Sequence, residues 1–529
     1  MISPDLDIAA TSRREFFSRL VGRPLGTAVA AALPVAAALA PKTASAQYAS
    51  STDTGDEPIF WSATKMAQAI RDKKISSVEA VKAFIKRQEE VNNRLNAVVM
   101  NCYERALDEA KTADDALARG QNMGALHGVP MTLKDSLDTE GVITTGATYG
   151  RQQYIPKKDA TVVARVRKAG AILLGKTNTP EFTLGGLSGI NAASNLLYGS
   201  SHNPYDLTRS TAGSSGGAGA VVAAGLASFD IGSDWGGSIR LPSHNNGVCG
   251  IKPTSIRVPR TGHIVDYGGI FDLWQQIGPL ARRVEDLELI TPIIAGPDFH
   301  DASCAPVPWA DPGKVNLKSL KVAFAKDNGA ANTSDDTRAT VVQAAKWLQD
   351  AVMSVAEDQP KAALAQITAA RSKLSSGDGG AFYQRLADKW GTKNISPLRK
   401  EAMKTAVPLS TAEMVEAWAS QDDAKSQMLA WMQDYDVFLC PVAGKPAELI
   451  DAVEPPGGRA ALAAASGWPY TGVFNCTGWP VVVVRCGTSE SGTLPIGVQV
   501  VCAPWREDIC LAVAAYLESR SGGWKKPPV

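Results

Sequence analysis

The reading of this chain turns on Gly232-Ser233-Asp234-Trp235-Gly236-Gly237-Ser238-Ile239-Arg240-Leu241-Pro242. An apolar stretch, Leu226 to Ile231, leads into it. Upstream lies a second glycine cluster, Ala212-Gly213-Ser214-Ser215-Gly216-Gly217-Ala218-Gly219-Ala220, followed by the helix-like Val221-Val222-Ala223-Ala224. Turns this rich in glycine let bare backbone N–H groups converge on one point. That suits a phosphate or an oxyanion. The phosphate reading fails in detail, because no GxxxxGK[ST] is present and no acidic residue stands suitably after a GxGxxG. What marks these loops is hydroxyls among the glycines. A nucleophilic Ser238 would have its own N–H and those of its neighbours aimed at the attacked carbonyl oxygen, and one such donor is worth about 3–4 kcal/mol of transition-state stabilisation. Ser214 falls near the start of the following helix, whose positive end would point into the same space.

A serine nucleophile needs a base, and two candidates present themselves. His244, in Ser243-His244-Asn245-Asn246, is close in sequence, but no third residue that would orient it can be identified. Lys134 closes the apolar run Val129-Pro130-Met131-Thr132-Leu133, where burial would lower its pKa and supply a neutral amine. A lone lysine after a strand is ordinarily a surface charge, so the residues alone leave both candidates open.

Away from the loops, the chain of 529 residues has an ordinary globular composition, 45% hydrophobic and 20% charged, which excludes global disorder and collagen. A net charge of +1 argues against electrostatic capture of nucleic acid or an anionic membrane. The eight cysteines form no CxxC pair and read as buried thiols rather than zinc ligands. Ala63 to Leu117 reads as helices, with Ile75-Ser76-Ser77-Val78-Glu79 as a capped start. From Leu126 onward, short strands (Val129–Leu133, Ala171–Gly175) alternate with helix (Val162–Ala169), the pattern of an α/β fold on a mixed or parallel sheet. Residues 300–430, rich in Ala, Lys, Gln and Asp, read as a mostly helical insertion. Further strands are expected over Asp436–Pro441, Val481–Arg485 and Ile496–Cys502, and a closing helix over Asp508–Ser519.

The N-terminus reads as an address. Ser12-Arg13-Arg14-Glu15-Phe16-Phe17, an Ala-rich run from Leu25 to Ala40, and Ala44-Ser45-Ala46 before Gln47 resemble a twin-arginine signal peptide over residues 1–46. A polar linker follows at 47–58. The expected location is the periplasm or outside the cell, with no stable membrane anchor after processing. Folding before export, in a reducing compartment, favours free thiols.

Beyond the loops, the sequence resembles the amidase signature hydrolases. The resemblance runs from about residue 60 to 520. It is carried by Leu126-His127-Gly128-Val129-Pro130 through Lys134-Asp135, Gly170 through Phe182, both glycine loops, Cys249-Gly250-Ile251-Lys252-Pro253-Thr254, Gly278-Pro279-Leu280-Ala281-Arg282, Asn475-Cys476-Thr477-Gly478-Trp479-Pro480 and Leu494-Pro495-Ile496-Gly497-Val498-Gln499. It implies one domain over 59–529, a large mixed sheet surrounded by helices with the helical insertion at about 300–430. It also implies a Ser–cis-Ser–Lys triad: Ser238 as nucleophile, Ser214 as bridging serine, Lys134 as base. The oxyanion hole would be the backbone N–H groups of Trp235, Gly236, Gly237 and Ser238, with Ser215, Asp234 and Arg240 in support. Trp235 departs from the family, where a smaller residue such as Thr or Ile is expected.

The reaction so implied is hydrolysis of a carboxylic amide through an acyl-enzyme, without metal or cofactor, on a small-molecule substrate; a homodimer is compatible with the sequence. The aromatic supply of the insertion (Trp347, Phe382, Tyr383, Trp390, Trp418, Trp431) suggests an aryl or acyl amide, or a carbamate. Two other readings share the signature. One is the glutaminase-like subunit of a tRNA-dependent amidotransferase, which an export signal disfavours. The other is a non-catalytic binding protein on the same fold.

Overall fold

Apolar runs as short as Ile172-Leu173-Leu174 and Val481-Val482-Val483-Val484 need cover on both faces, and one large sheet collects them. The computed structural model describes residues 57–187, 193–266, 269–329, 332–450 and 468–529. The expected signal peptide, and the linker up to residue 56, lie outside the described residues. Among the described residues the sheet has eleven strands: β1 (Val98–Asn101), β2 (Pro130–Lys134), β3 (Ile172–Thr177), β4 (Phe229–Asp234), β5 (Cys249–Lys252), β6 (Gln276–Ala281), β7 (Lys321–Phe324), β8 (Ser354–Glu357), β9 (Val437–Pro441), β10 (Val481–Thr488) and β11 (Pro495–Cys502). Their order is β1-β3-β2-β4-β6-β5-β10-β11-β9-β7-β8. The pairings β3–β2–β4 and β9–β7–β8 are parallel and the others antiparallel, so the sheet is mixed. Along β10 the side chains alternate between faces. Val482 and Val484 join the large core that includes the Glu507–Ser521 helix, while Val483 packs with Leu241 and Val442 on the side of the glycine loops.

Two elements differ from the sequence reading. Ala63–Leu117 is not all helix: the Ser77–Leu95 helix starts on a Ser76–Glu79 capping box and stops at Asn96, which takes φ 47°. The chain then enters β1, which pairs antiparallel with β3. Between 300 and 430, the helices Asp335–Leu348, Lys361–Ser376, Ala381–Lys389, Pro397–Thr405 and Thr411–Trp431 are interspersed with β7 and β8, which extend the sheet in parallel from β9. β8, at the sheet edge, exposes Ser354 and Glu357 and has no apolar signature, while β7, between β9 and β8, offers only the short run Val322-Ala323-Phe324 after the exposed Lys321.

Two features of this frame position the site. Strands β2 and β4 are parallel neighbours, with Met131 opposite Phe229 and Leu133 opposite Ile231, so their C-terminal ends, Lys134 and Asp234, emerge on one side. The Gly216–Ala223 helix packs across β2 and β4. Its close approach rests on Gly217, where a Cβ would lie 2.4 Å from Asn178 N and 2.7 Å from the Asn178 carbonyl oxygen. Helix propensity alone would have Gly217→Ala stabilise by about 1 kcal/mol. We expect the opposite sign, a loss of about 1–3 kcal/mol from overpacking against backbone. The variant's thermal unfolding midpoint should fall, and a raised midpoint would mean this contact is slack.

Candidate active site

The structure gathers the sequence-predicted residues from three places. Lys134, the last residue of β2, is fully buried, and its Nζ lies 2.6 Å from Ser214 Oγ and 2.9 Å from Ser233 Oγ. Burial pulls the lysine down to about 7, against the opposing pull of Asp234 and Asp230. Near neutral pH the amine therefore has a substantial population with its lone pair free. Ser214 follows a cis peptide from Gly213. Ser215 donates its N–H to the Ser238 carbonyl at 3.1 Å, and its hydroxyl bridges the Ser233 backbone. Ser238 thus sits beside the Ser214–Ser215 turn. Its hydroxyl is half-buried and makes no hydrogen bond among the described residues.

The loop between β4 and the Arg240–Asn245 helix is fixed from behind. Thr471 Oγ1 donates to the Gly236 carbonyl at 2.6 Å, Arg371 Nη2 to the Trp235 carbonyl at 3.0 Å, and Leu241 N–H to the Gly237 carbonyl at 2.7 Å. In a trans peptide the C=O and the following N–H point opposite ways. The anchored carbonyls of Trp235 and Gly237 therefore turn the amides of Gly236 and Ser238 away from their anchors. The amides of Gly236 and Ser238 have no partner among the described residues. Gly237 is different: its N–H, expected among the oxyanion donors, already donates to Asp234 Oδ1 at 2.8 Å. The carboxylate captures it because it also accepts from Ile239 N–H and so closes the turn.

Asp234 and Arg240 form a fully buried pair, with Nη2 2.9 Å from Oδ1 and Nε 3.0 Å from Oδ2. Arg240 also donates to the Thr471 carbonyl, Gln499 Oε1 and Asn475 Oδ1. Burial would raise the Asp234 carboxyl, but Arg240 and the hydrogen bonds outweigh it and hold the group well below the usual carboxylate range. Neither side chain contacts Lys134 or Ser214 by hydrogen bond among the described residues, so their part is to shape the loop.

Several site residues escaped the sequence reading. His263 is buried, with Nε2 3.0 Å from Ser233 Oγ and Nδ1 3.2 Å from the Val265 backbone, so Lys134, Ser233 and His263 form one continuous chain. Burial, reinforced by the Lys134 charge, pushes His263 down to about 3, and it stays neutral at any ordinary pH. The other candidate base, His244, is elsewhere: Nε2 faces the Lys445 carbonyl and Nδ1 accepts from Gly497 N–H, which makes it a structural tie. Asn475 and Gln499 lie in stretches already singled out near the C-terminus and Ser233 in the second glycine loop, whereas nothing local marks Thr471, His263 or Arg371. Of the six insertion aromatics, Trp418 joins Trp274, which meets Trp235 edge-on at 5.2 Å. Phe382, Tyr383 and Trp390 pack around Phe182, Ile264 and Val265. Trp347 packs on the main core, and Trp431 on Tyr435 and Phe438.

Comparison with known proteins agrees over most of the chain. A family model described as Amidase matches residues 79–511. An indoleacetamide hydrolase of Bradyrhizobium diazoefficiens is 33% identical over 492 residues, covering 87% of each chain. A glutamyl-tRNA(Gln) amidotransferase subunit of Moorella thermoacetica is 33% identical, over 89% of this chain and 99% of the relative. Among solved structures, 6-aminohexanoate cyclic dimer hydrolase complexed with substrate superposes with a TM-score of 0.79 at 28% identity, over 89% of this chain and 99% of the other.

The Asp234–Arg240 pair gives a prediction. Asp234→Asn leaves a buried guanidinium without its counter-ion, which costs about 3–5 kcal/mol, read as a shift in the denaturant midpoint. Because the folded-state carboxyl is depressed, its contribution is fully present above the ordinary aspartate range, near about 3.9, and fades only as acid protonates it in the folded state. The stability difference between wild type and variant should therefore be constant from neutral pH down to about 5. A difference that disappears already at pH 6 would refute the assignment.

Proposed function

The chain belongs to the amidase family, an amide-hydrolysing enzyme on the amidase signature fold, and from that premise we propose that it cleaves carboxylic amides through an acyl-enzyme on Ser238. The observation that carries this reading is the fully buried Lys134 amine, 2.6 Å from Ser214 Oγ and drawn down to about 7. In the proposed cycle, neutral Lys134 takes a proton from Ser214 as Ser214 takes one from Ser238. The Ser238 oxygen attacks the carbonyl carbon, and the Gly236 and Ser238 amides receive the developing oxyanion. As the C–N bond breaks, Lys134 returns its proton to Ser214 and Ser214 passes one to the leaving amine. Water then attacks the acyl-enzyme and the same groups work again in reverse. The Ser214–Ser238 hydrogen bond is one that closes with substrate in place, since catalytic contacts often tighten only in the Michaelis complex. His263 and Ser233 hold the far side of the amine.

Substrate choice follows from the same surroundings. We assign an aryl or acyl amide, or a carbamate, because Trp418 of the insertion joins Trp274 and the partly exposed Trp235, a residue of the loop that carries Ser238, in one aromatic group. An anilide should be turned over faster than a small aliphatic amide of equal acyl group, and the reverse order would count against the assignment. The reading as part of an amidotransferase draws on the Moorella relative. It would require glutamine hydrolysis that depends on partner proteins, and the export reading of Arg13-Arg14 and Ala44-Ser45-Ala46 weighs against it. Export predicts a mature N-terminus at Gln47 in a periplasmic fraction, and an unprocessed cytosolic chain would remove that argument.

Lys134→Ala and Ser238→Ala should each lower kcat by at least about 10⁴-fold while the circular dichroism spectrum is retained. Because the neutral amine is the active form, kcat/KM should rise with pH through an apparent midpoint near 7. A midpoint near the ordinary lysine value would exclude Lys134 as the base.

A further inference from the structure

Arg371 lies on the Lys361–Ser376 helix, far in sequence from both glycine loops, yet its guanidinium is packed against the back of the second one. The residue is 6% exposed, and no acidic side chain pairs with it among the described residues. Nη2 donates to the Trp235 carbonyl at 3.0 Å and Nη1 to Cys476 Sγ at 3.7 Å. The rings of Trp235 and Trp274 lie 5.0 and 4.6 Å from the guanidinium carbon. Two glycines make room for it. A Cβ on Gly236 would come within 2.8 Å of Nη2, and one on Gly472 within 2.6 Å of Nε.

Burying a guanidinium with no carboxylate is costly, and cation–π contacts offset only about 2 kcal/mol each when desolvated. Such a charge persists where the site uses it. The carbonyl it engages belongs to the Trp235–Gly236 peptide, whose N–H points the opposite way and is one of the two unpartnered loop amides. A charge-assisted bond to a carbonyl fixes the peptide plane and polarises the N–H at its other end. The cation also adds its own field where an oxyanion would develop.

We propose that Arg371 is a positioning residue for the oxyanion hole, acting through the Trp235–Gly236 peptide to aim and strengthen the Gly236 N–H. This rests on the reading of Ser238 as nucleophile. It places a determinant of the chemical step in the insertion, outside the signature motifs. The interaction gains strength as negative charge builds on the substrate oxygen, so it belongs to the transition state rather than to substrate binding.

The test compares wild type with Arg371→Gln, Arg371→Lys and Gly472→Ala on one anilide, with an arylboronic acid as a mimic of the anionic tetrahedral adduct. Deleting an oxyanion donor outright costs about 10²–10³ in kcat, and losing its polarising partner should cost a part of that. Arg371→Gln should lower kcat about tenfold or more with KM within about twofold, and boronate affinity should fall in step with kcat. Arg371→Lys should recover part of the loss. Gly472→Ala keeps the charge but displaces Nε in a helix that tolerates alanine, and should lower kcat about threefold. It decides the matter if Arg371→Gln does not fold. Unchanged kcat in the folded variants overturns the inference. So does a loss carried by KM, greatest for substrates bearing a carboxylate, which would make Arg371 a substrate contact. Ser238→Ala separates the two levels. If it keeps wild-type turnover, the proposed function fails; if it is inactive while the Arg371 and Gly472 variants keep kcat, only this inference fails.

Discussion

The geometry of the site depends on one buried ion pair, Asp234 with Arg240. Taking both charges out of water is expensive, and the pair is tolerable only if every donor and acceptor finds a partner. Here they do. The carboxylate accepts from Arg240, Asn475 and the amides of Gly237 and Ile239, while the guanidinium also reaches the Thr471 carbonyl, Asn475 and Gln499. The end of β4, the loop, the Arg240–Asn245 helix, the Trp468–Cys476 helix and β11 are thereby tied to one point. The loop between Trp235 and Ser238 has little freedom left, and the direction of its amides follows from that.

Lys134 is buried to the same degree and treated in the opposite way. No carboxylate touches it among the described residues. Asp230, also on β4, is turned toward Thr132 and Thr177 and is itself pushed up to about 7 by burial. Asp230 and Asp234 still pull the lysine upward, but burial outweighs them. The amine instead meets two hydroxyls, Ser214 and Ser233, and Ser233 is backed by a histidine that remains neutral. One strand, β4, carries the residue that touches the lysine and, one position on, the carboxylate that shapes the loop. Alternation along the strand sends Ser233 and Asp234 to different work.

Much of this was legible in the sequence, for local reasons. Glycines interleaved with serines announce converging amides, and an apolar run ending in Lys134 announces a buried lysine once a site is placed beside it. Strands such as Val481–Thr488 are visible because both faces are apolar. The strand Val98–Asn101 was hidden because two helices flank it and four residues carry little periodicity. Strand β8 was hidden because it lies at the sheet edge and needs cover less, and β7, inside it, because its apolar run is too short to stand out. Ser233, His263 and Arg371 were not legible for a different reason. Each matters only through a contact made across the fold: His263 reaches Ser233 from 30 residues away, and Arg371 reaches Trp235 from 136. Nothing in the neighbourhood of either residue reports that partner. Gly237 shows the converse limit, since the motif places its amide in the oxyanion hole while the fold commits it to Asp234.

Trp235 ties these threads together. The resemblance leads one to expect a smaller residue there, and an indole has no part to play in a hole built from main-chain amides. It makes sense beside Arg371: the ring supplies one of the two faces on which the uncompensated guanidinium rests, and Trp274 supplies the other. A small residue at 235 would remove a face but leave the charge, and a neutral residue at 371 would leave the carbonyl without its donor. The two side chains form a unit in which the effect of changing one depends on the other. Signature residues and insertion residues therefore do not divide neatly into chemistry and specificity. A helix that carries no motif reaches the loop, and the orientation of a loop amide depends on it.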